Sequence, residues 1–280
     1  CFIMKKGLVM ALSLTLVLSF AACGNNGTTD SSASSEEVSS VASESKDDAS
    51  VESTEEVSSE AENNDVAGET VMSYADYVAA ELESPVVIEA YVQAHQSWWD
   101  NKITVYAADE DGAYFIYNMT CSEEDSAKLV PGTKIKVTGY KTEWSGEVEI
   151  AEGATFEIED GSYIAEATDV TDLLGTDDLI NYQNQFVSFK GMTVEESEGG
   201  AAFLYNWDGS GSADSNSDLY FNVSLNGQTY TFTVESYLCD NTTDVYKTVE
   251  GLKVGDVIDM EGFLYWYNGV NPHITNVTVK

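Results

Sequence analysis

Five tryptophans carry most of the recognition chemistry this chain can offer: Trp98, Trp99, Trp144, Trp207 and Trp266, the last flanked by Tyr265 and Tyr267. Indole and phenol rings stack on nucleobases, on the apolar faces of sugars or on partner side chains, and they do so without carrying charge. Reactive groups are scarce beside them. The two histidines, His95 and His273, have no CxxC or HxxxH spacing near them from which to build a zinc site, so each reads as a lone exposed or half-buried imidazole. No GxSxG, phosphate-binding glycine loop or dinucleotide fingerprint occurs. Carboxylates number 49, so clustering alone discriminates nothing, and Glu143, Glu147 and Glu149 read as a solvated strand face. "DSNSD", with Asp214, Asn216 and Asp218, opens like a calcium loop, but Leu219 and Leu225 stand where the glycine and the closing glutamate belong. The expectation is a protein without catalytic residues, metal or cofactor.

The elements that must position these rings come in two copies. "GTKIKVTGYKTEWSG" at 132–146 is echoed by "GDVIDMEGFLYWYNG" at 255–269. Gly132, Ile135, Gly139 and Gly146 recur as Gly255, Ile258, Gly262 and Gly269, while Tyr140 and Trp144 recur as Phe263 and Tyr267. In the first copy, Ser73 with Asp76 caps a short helix that ends before Pro85. A strand "VVIEAYVQA" follows, then a hairpin around "DEDG", a short helix capped by Ser122, and strands "TKIKVTGYKTE" and "EVEIAEGATFEIE". The second copy repeats the order: lead helix "TDDLINYQ", strand "QFVSFKGMTVE", a hairpin turning at Asn226-Gly227, helix "DNTTDVYKTVEGL", and strands "DVIDMEGFLYW" and "HITNVTV". Its main departure is an insertion, "ESEGGAAFLYNWDGSGSADSNSD", where the first copy has "HQSWWDN".

Strand, hairpin, helix, hairpin is an order that resembles the OB-fold, a five-stranded Greek-key barrel with a helix between its third and fourth strands. The fold expected is therefore mainly β, two tandem five-stranded OB-like barrels at 71–168 and 169–280 with short helices. Gly139 and Gly262 fall mid-strand, where a missing side chain lets a strand turn a barrel corner. The resemblance places all five tryptophans in the loops that border the ligand face of such barrels. Trp98 and Trp99 lie between strands one and two of the first copy, with Trp144 at its strand four–five turn. Trp207 lies in the insertion, and Tyr265, Trp266 and Tyr267 lie at the second copy's strand four–five turn. These seven residues are the candidate ligand-binding set, with plugging of the barrel ends as the competing role. Cys121 and Cys239 occupy matching places and read as two buried thiols, one per barrel.

Charge narrows the ligand. Residues 71–280 hold 36 acids against nine lysines, a balance of −27, and the whole chain has no arginine. Such a field repels a polyanion, and no side chain offers the bidentate phosphate contact of a guanidinium. Lys102, Lys128, Lys134, Lys136 and Lys141 of the first copy are the available counterweight. The reading is a non-enzymatic binding or scaffold module for a neutral glycan or a surface protein, with Asn101 and Asn268 able to hydrogen-bond sugar hydroxyls. An exported OB protein for single-stranded nucleic acid is the alternative, one the charge balance disfavours.

The N-terminal segment sets location. From the expected start at Met4, two lysines precede an apolar run to Ala22, after which the chain turns polar with no basic flank. That is the plan of a secretory signal peptide, 1–23. "FAAC" resembles a bacterial lipobox with Cys23 as the lipidated residue, though Phe20 departs from the usual leucine. Residues 24–70 hold 13 acids, one lysine and no aromatic residue, a composition that cannot bury enough apolar surface to order itself, and are expected to be a disordered tether. The whole looks like the OB-type surface lipoproteins of Gram-positive gut bacteria, which implies a lipid-anchored place on the extracellular face of a bacterial membrane.

Overall fold

The computed structural model describes residues 70–280. The expected signal peptide, the lipidation site Cys23 and the tether through residue 69 lie outside the described residues.

Ser73 caps α1 (Tyr74–Ala79), its hydroxyl accepting from the Asp76 amide at 3.2 Å and donating to the Asp76 carboxylate at 2.7 Å. The first barrel follows: β1 (Pro85–His95), β2 (Lys102–Ala108), β3 (Ala113–Thr120), α2 (Glu123–Ser126), β4 (Thr133–Trp144), β5 (Glu147–Ile150) and β6 (Thr155–Ser162). Ser122 caps α2 as expected. The order β1-β2-β3-β5-β4, with β4 returning to β1, closes five strands into a barrel whose β3 and β5 run parallel. That is OB topology. The single fifth strand expected over 147–159 is two strands in the structure, because the chain turns through Gly153 at φ +91°. β5 closes the barrel against β3 and the end of β4, and β6 pairs with the start of β4.

The second barrel holds β7 (Thr168–Asp169), β8 (Phe186–Glu195), β9 (Leu204–Tyr205), β10 (Leu219–Leu225), β11 (Gln228–Val234), α3 (Asp244–Glu250), β12 (Val257–Phe263) and β13 (His273–Val279). Its order β8-β12-β13-β11-β10, closed by β8–β10 with β11 and β13 parallel, repeats the first. The hairpin turns at Asn226 (φ +53°) and Gly227 (φ +81°) as the sequence requires. The lead helix is a 3-10 helix, Asp177–Tyr182. Short β7 and β9 were not expected; β9 pairs the inserted segment to β10. Thr168 pairs with Val187 in the second sheet, whereas the Tyr163 carbonyl and the Ala165 amide are held by Gln93 of the first.

Gly262 sits at a bulge between β12 and β13, and a Cβ there would stand 2.2 Å from the His273 carbonyl oxygen. Close backbone approach, more than strand bending, is what demands glycine. Cys121 and Cys239 are free and buried, one in each barrel.

The two barrels are not independent beads. Along β2, Ile103, Val105 and Ala107 enter the first core, while Tyr106 on the opposite face is fully buried outside it. Phe115 of β3 does the same. Both pack against Phe263 and Tyr265 of the second barrel, with Tyr106 stacked on Phe263 at 4.4 Å and Phe115 edge-on to Tyr265 at 5.2 Å. Hydrogen bonds surround this third core: Tyr237 O accepts from the Ser97 amide at 2.7 Å, Ser145 O from Asn268 N at 2.7 Å, and Val148 O from Asn184 Nδ2 at 3.0 Å.

Candidate functional site

At the junction the second barrel's outer β10–β11 face opens into a cleft of about 650 Å³. Four of the seven candidate residues line it. Trp144 ends β4 of the first barrel, and its ring meets Tyr267 at 5.2 Å across the junction. Trp207, 77 % exposed, comes from the inserted loop between the second barrel's first two core strands. Tyr265 and Tyr267 enter from the β12–β13 loop. This is the strand-two, strand-three face with its two flanking loops, where OB-folds hold ligands.

The other three go elsewhere. Trp98 is half-buried on the first core, with Nε1 donating to Cys121 O at 2.9 Å, so it plugs that barrel. Its neighbour Trp99 faces outward, 73 % exposed, in a separate cleft. Trp266 packs on the second core, its backbone N–H donating to Glu147 Oε2 at 2.8 Å. Gly146, at φ +91°, lets that indole approach, since a Cβ would stand 3.0 Å from it.

The cleft floor is polar, and sequence reasoning missed it. Asp218, Tyr220, Thr231, Thr233, Glu235 and His273 line it. Alternation in β10 and β11 turns Tyr220, Thr231 and Thr233 outward while Phe221, Phe232 and Val234 fill the core. Asp218 Oδ1 accepts from the Ser236 amide at 2.8 Å. Glu235 accepts from the Tyr237 amide at 3.2 Å and from Gln96 Nε2 of the first barrel at 3.1 Å. Burial, with the Asp218 charge beside it, raises Glu235 to about 7. His273 is not the lone imidazole expected: it is buried, stacked on Tyr265 at 4.3 Å and bonded to Tyr106. Burial lowers it to about 3, so the ring is neutral. Asn216 and Asp218, the start of the calcium-like motif, spend side-chain oxygens on the Asn241 and Ser236 amides.

Glu147, read as part of a solvated strand face, is instead fully buried at the junction. Burial raises it to about 9, against the opposing pull of the Trp266 amide and the Asn184 and Gln183 side chains. Glu149, also buried, is raised to about 7 for the same reason.

Four of the five first-barrel lysines, all but Lys136, are engaged within the barrel. Lys102 pairs with Glu152, Lys128 with Asp125 at 2.8 Å, and Lys134 with Glu89 at 2.5 Å and Glu159 at 2.9 Å. Lys141 is buried and donates to the carbonyls of Tyr77, Val78 and Ala80, closing the C-terminal end of α1. No lysine lines the cleft.

No family model and no curated protein matches the chain. Solved structures do. A murine DNA-binding protein bound with double-stranded DNA is similar at 11 % identity over 70 % of this chain and 96 % of its own, with a TM-score of 0.34. The tetrameric p202 HIN2 domain is similar at 12 % identity over 71 % and 96 %, TM-score 0.31. The single-stranded DNA binding protein from Thermus aquaticus, as a deletion mutant, is similar at 12 % identity over 70 % and 93 %, TM-score 0.23. The closed strand order of both halves makes the chain a tandem OB-fold protein.

Proposed function

We propose that this chain is a non-enzymatic binding module whose junction cleft takes a neutral glycan. One observation carries the reading: five aromatic side chains from both barrels, Trp144, Trp207, Tyr220, Tyr265 and Tyr267, converge on one cleft whose other lining groups are uncharged or acidic. Rings supply stacking surfaces for sugar faces, and Asp218, Glu235 and the threonines supply acceptors and donors for hydroxyls. The Cys23 lipobox and the acidic segment 24–70 support a lipid-anchored protein on the outer face of a bacterial membrane.

Single-stranded nucleic acid is the second reading, favoured by the exposed Trp207, which any base can stack on. A cleft with Asp218 and Glu235 and no lysine weakens it, because backbone neutralisation supplies most of such affinity. The test is a glycan and oligonucleotide array probed with the full chain and its Trp207→Ala and Trp144→Ala variants. Retention by one sugar class, lost in both variants, supports the proposal. Retention on oligonucleotides alone replaces it with the alternative, and retention by neither sends the search to a surface protein.

A further inference from the structure

A second cleft, of about 430 Å³, adjoins the first through a shared wall, Glu235. It lies over the part of the first barrel's β2–β3 face that the junction leaves open. Thr104 and Tyr117 form its floor, and Trp99 and Tyr237 stand at its rim. The rim is held from both barrels, by the Ser97 amide on Tyr237 O and by Gln96 on Glu235. Trp99 and Tyr237 are 73 % and 65 % exposed although each is anchored through its backbone. Exposed rings carried on an anchored backbone offer stacking faces to a ligand. Lys102, the cleft's cation, is already paired with Glu152, so this lining too is effectively neutral to acidic.

Each cleft falls within the range of a small-molecule site, and together they exceed its upper end of about 1,000 Å³. We infer that the two clefts are successive subsites of one groove for a linear chain of neutral sugars, running from Trp207 past Glu235 to Trp99. This rests on the glycan reading and adds to it the length of the ligand and the part the first barrel plays. A chain that reaches both clefts makes its second engagement intramolecular, so affinity should climb with length until the groove is spanned and then level off.

The experiment titrates the full chain with cello-, xylo- and malto-oligosaccharide ladders from disaccharide to octasaccharide, following tryptophan fluorescence and calorimetry. Kd is expected to fall by about tenfold or more between the shortest binder and a chain spanning both clefts. Trp99→Ala should remove that gain and leave the short-chain Kd unchanged, while Trp207→Ala weakens every length. Short chains bound with no gain in length, or a gain that survives in Trp99→Ala, overturns the extended groove and leaves the single cleft standing. No binding at any length overturns the glycan reading, and the groove with it.

Discussion

The Tyr106 hydroxyl lies 2.6 Å from His273 Nδ1, fully buried, and joins the second strand of one barrel to the last strand of the other. Burial pushes the phenol well above its ordinary range and the imidazole down to about 3, so both groups are neutral and share one hydrogen bond. His273 also lines the cleft. Junction and site are therefore one structure, and the stability of the first bears on the chemistry of the second.

Tyr106→Phe should cost about 1–3 kcal/mol, because it strands a buried ring nitrogen while keeping the stack on Phe263. Urea unfolding followed by tryptophan fluorescence checks this. The shared aromatic core also predicts one cooperative transition for both barrels in the wild type. Two separate transitions would mean that the junction contributes little.

The tryptophans should divide by environment. Trp98→Ala removes a core plug and its hydrogen bond to Cys121, and should cost about 3 kcal/mol or more. Trp207→Ala, on an exposed ring, should change stability by no more than about 0.5 kcal/mol while weakening ligand retention. Thermal melts of the two variants side by side decide it.

Glu147 makes a prediction about pH. Its carboxyl ionises near 4.5 when unfolded and near 9 in the fold, so across that window the folded chain keeps a proton that the unfolded chain releases. Stability then falls as pH rises, by up to about 1.4 kcal/mol per unit from this group. Glu149 and Glu235 act in the same direction up to about 7. His273 acts oppositely: below 6.5 the unfolded chain binds a proton that the buried ring refuses, so stability falls as pH drops toward 3. Three carboxyls outweigh one imidazole between 4.5 and 6.5, which sets maximum stability for these groups near the lower value. Among the described residues, Glu147 Oε1 and Asn184 Oδ1 are buried acceptors without partners. A protonated Glu147 has an O–H to donate, and Glu147→Gln has an amide N–H in its place. The variant should flatten the slope and be more stable than wild type at about pH 8, with little difference at about pH 5. Urea midpoints at the two values measure this; an unchanged slope would mean that Glu147 is ionised in the fold.

Gly262→Ala should be the most damaging small substitution in β12. Its Cβ meets main chain, the His273 carbonyl, rather than a side chain that can swing away, and a loss above about 3 kcal/mol is expected. Soluble expression and a melt of the variant are sufficient readouts.

Element order and the paired glycines made the two barrels legible, because turn chemistry and alternation act locally. Asn226-Gly227, Ser73 and Ser122 do in the structure what their types demand. The junction was harder. Its signal was present in "ITVYAA" and "AYFIY", runs apolar on both faces of their strands, which a lone solvated barrel does not need. The same blindness misplaced Glu147 and His273: each looks exposed by type, and only the neighbouring barrel buries it. Trp98 and Trp99 show the converse, since adjacent residues on an extended chain point opposite ways, yet nothing local says which one meets the core. The cleft floor was missed because Asp218, Tyr220 and Glu235 are ordinary strand-end residues until two loops and a second barrel enclose them.

The most direct test of the central claim is a fluorescence titration of the full chain with neutral oligosaccharides and with oligothymidylate, each at low and at high salt. The account predicts quenching by a sugar, with a Kd that stays the same as salt rises because no counterions are released. Quenching by oligothymidylate alone, weakening steeply with salt, would contradict it.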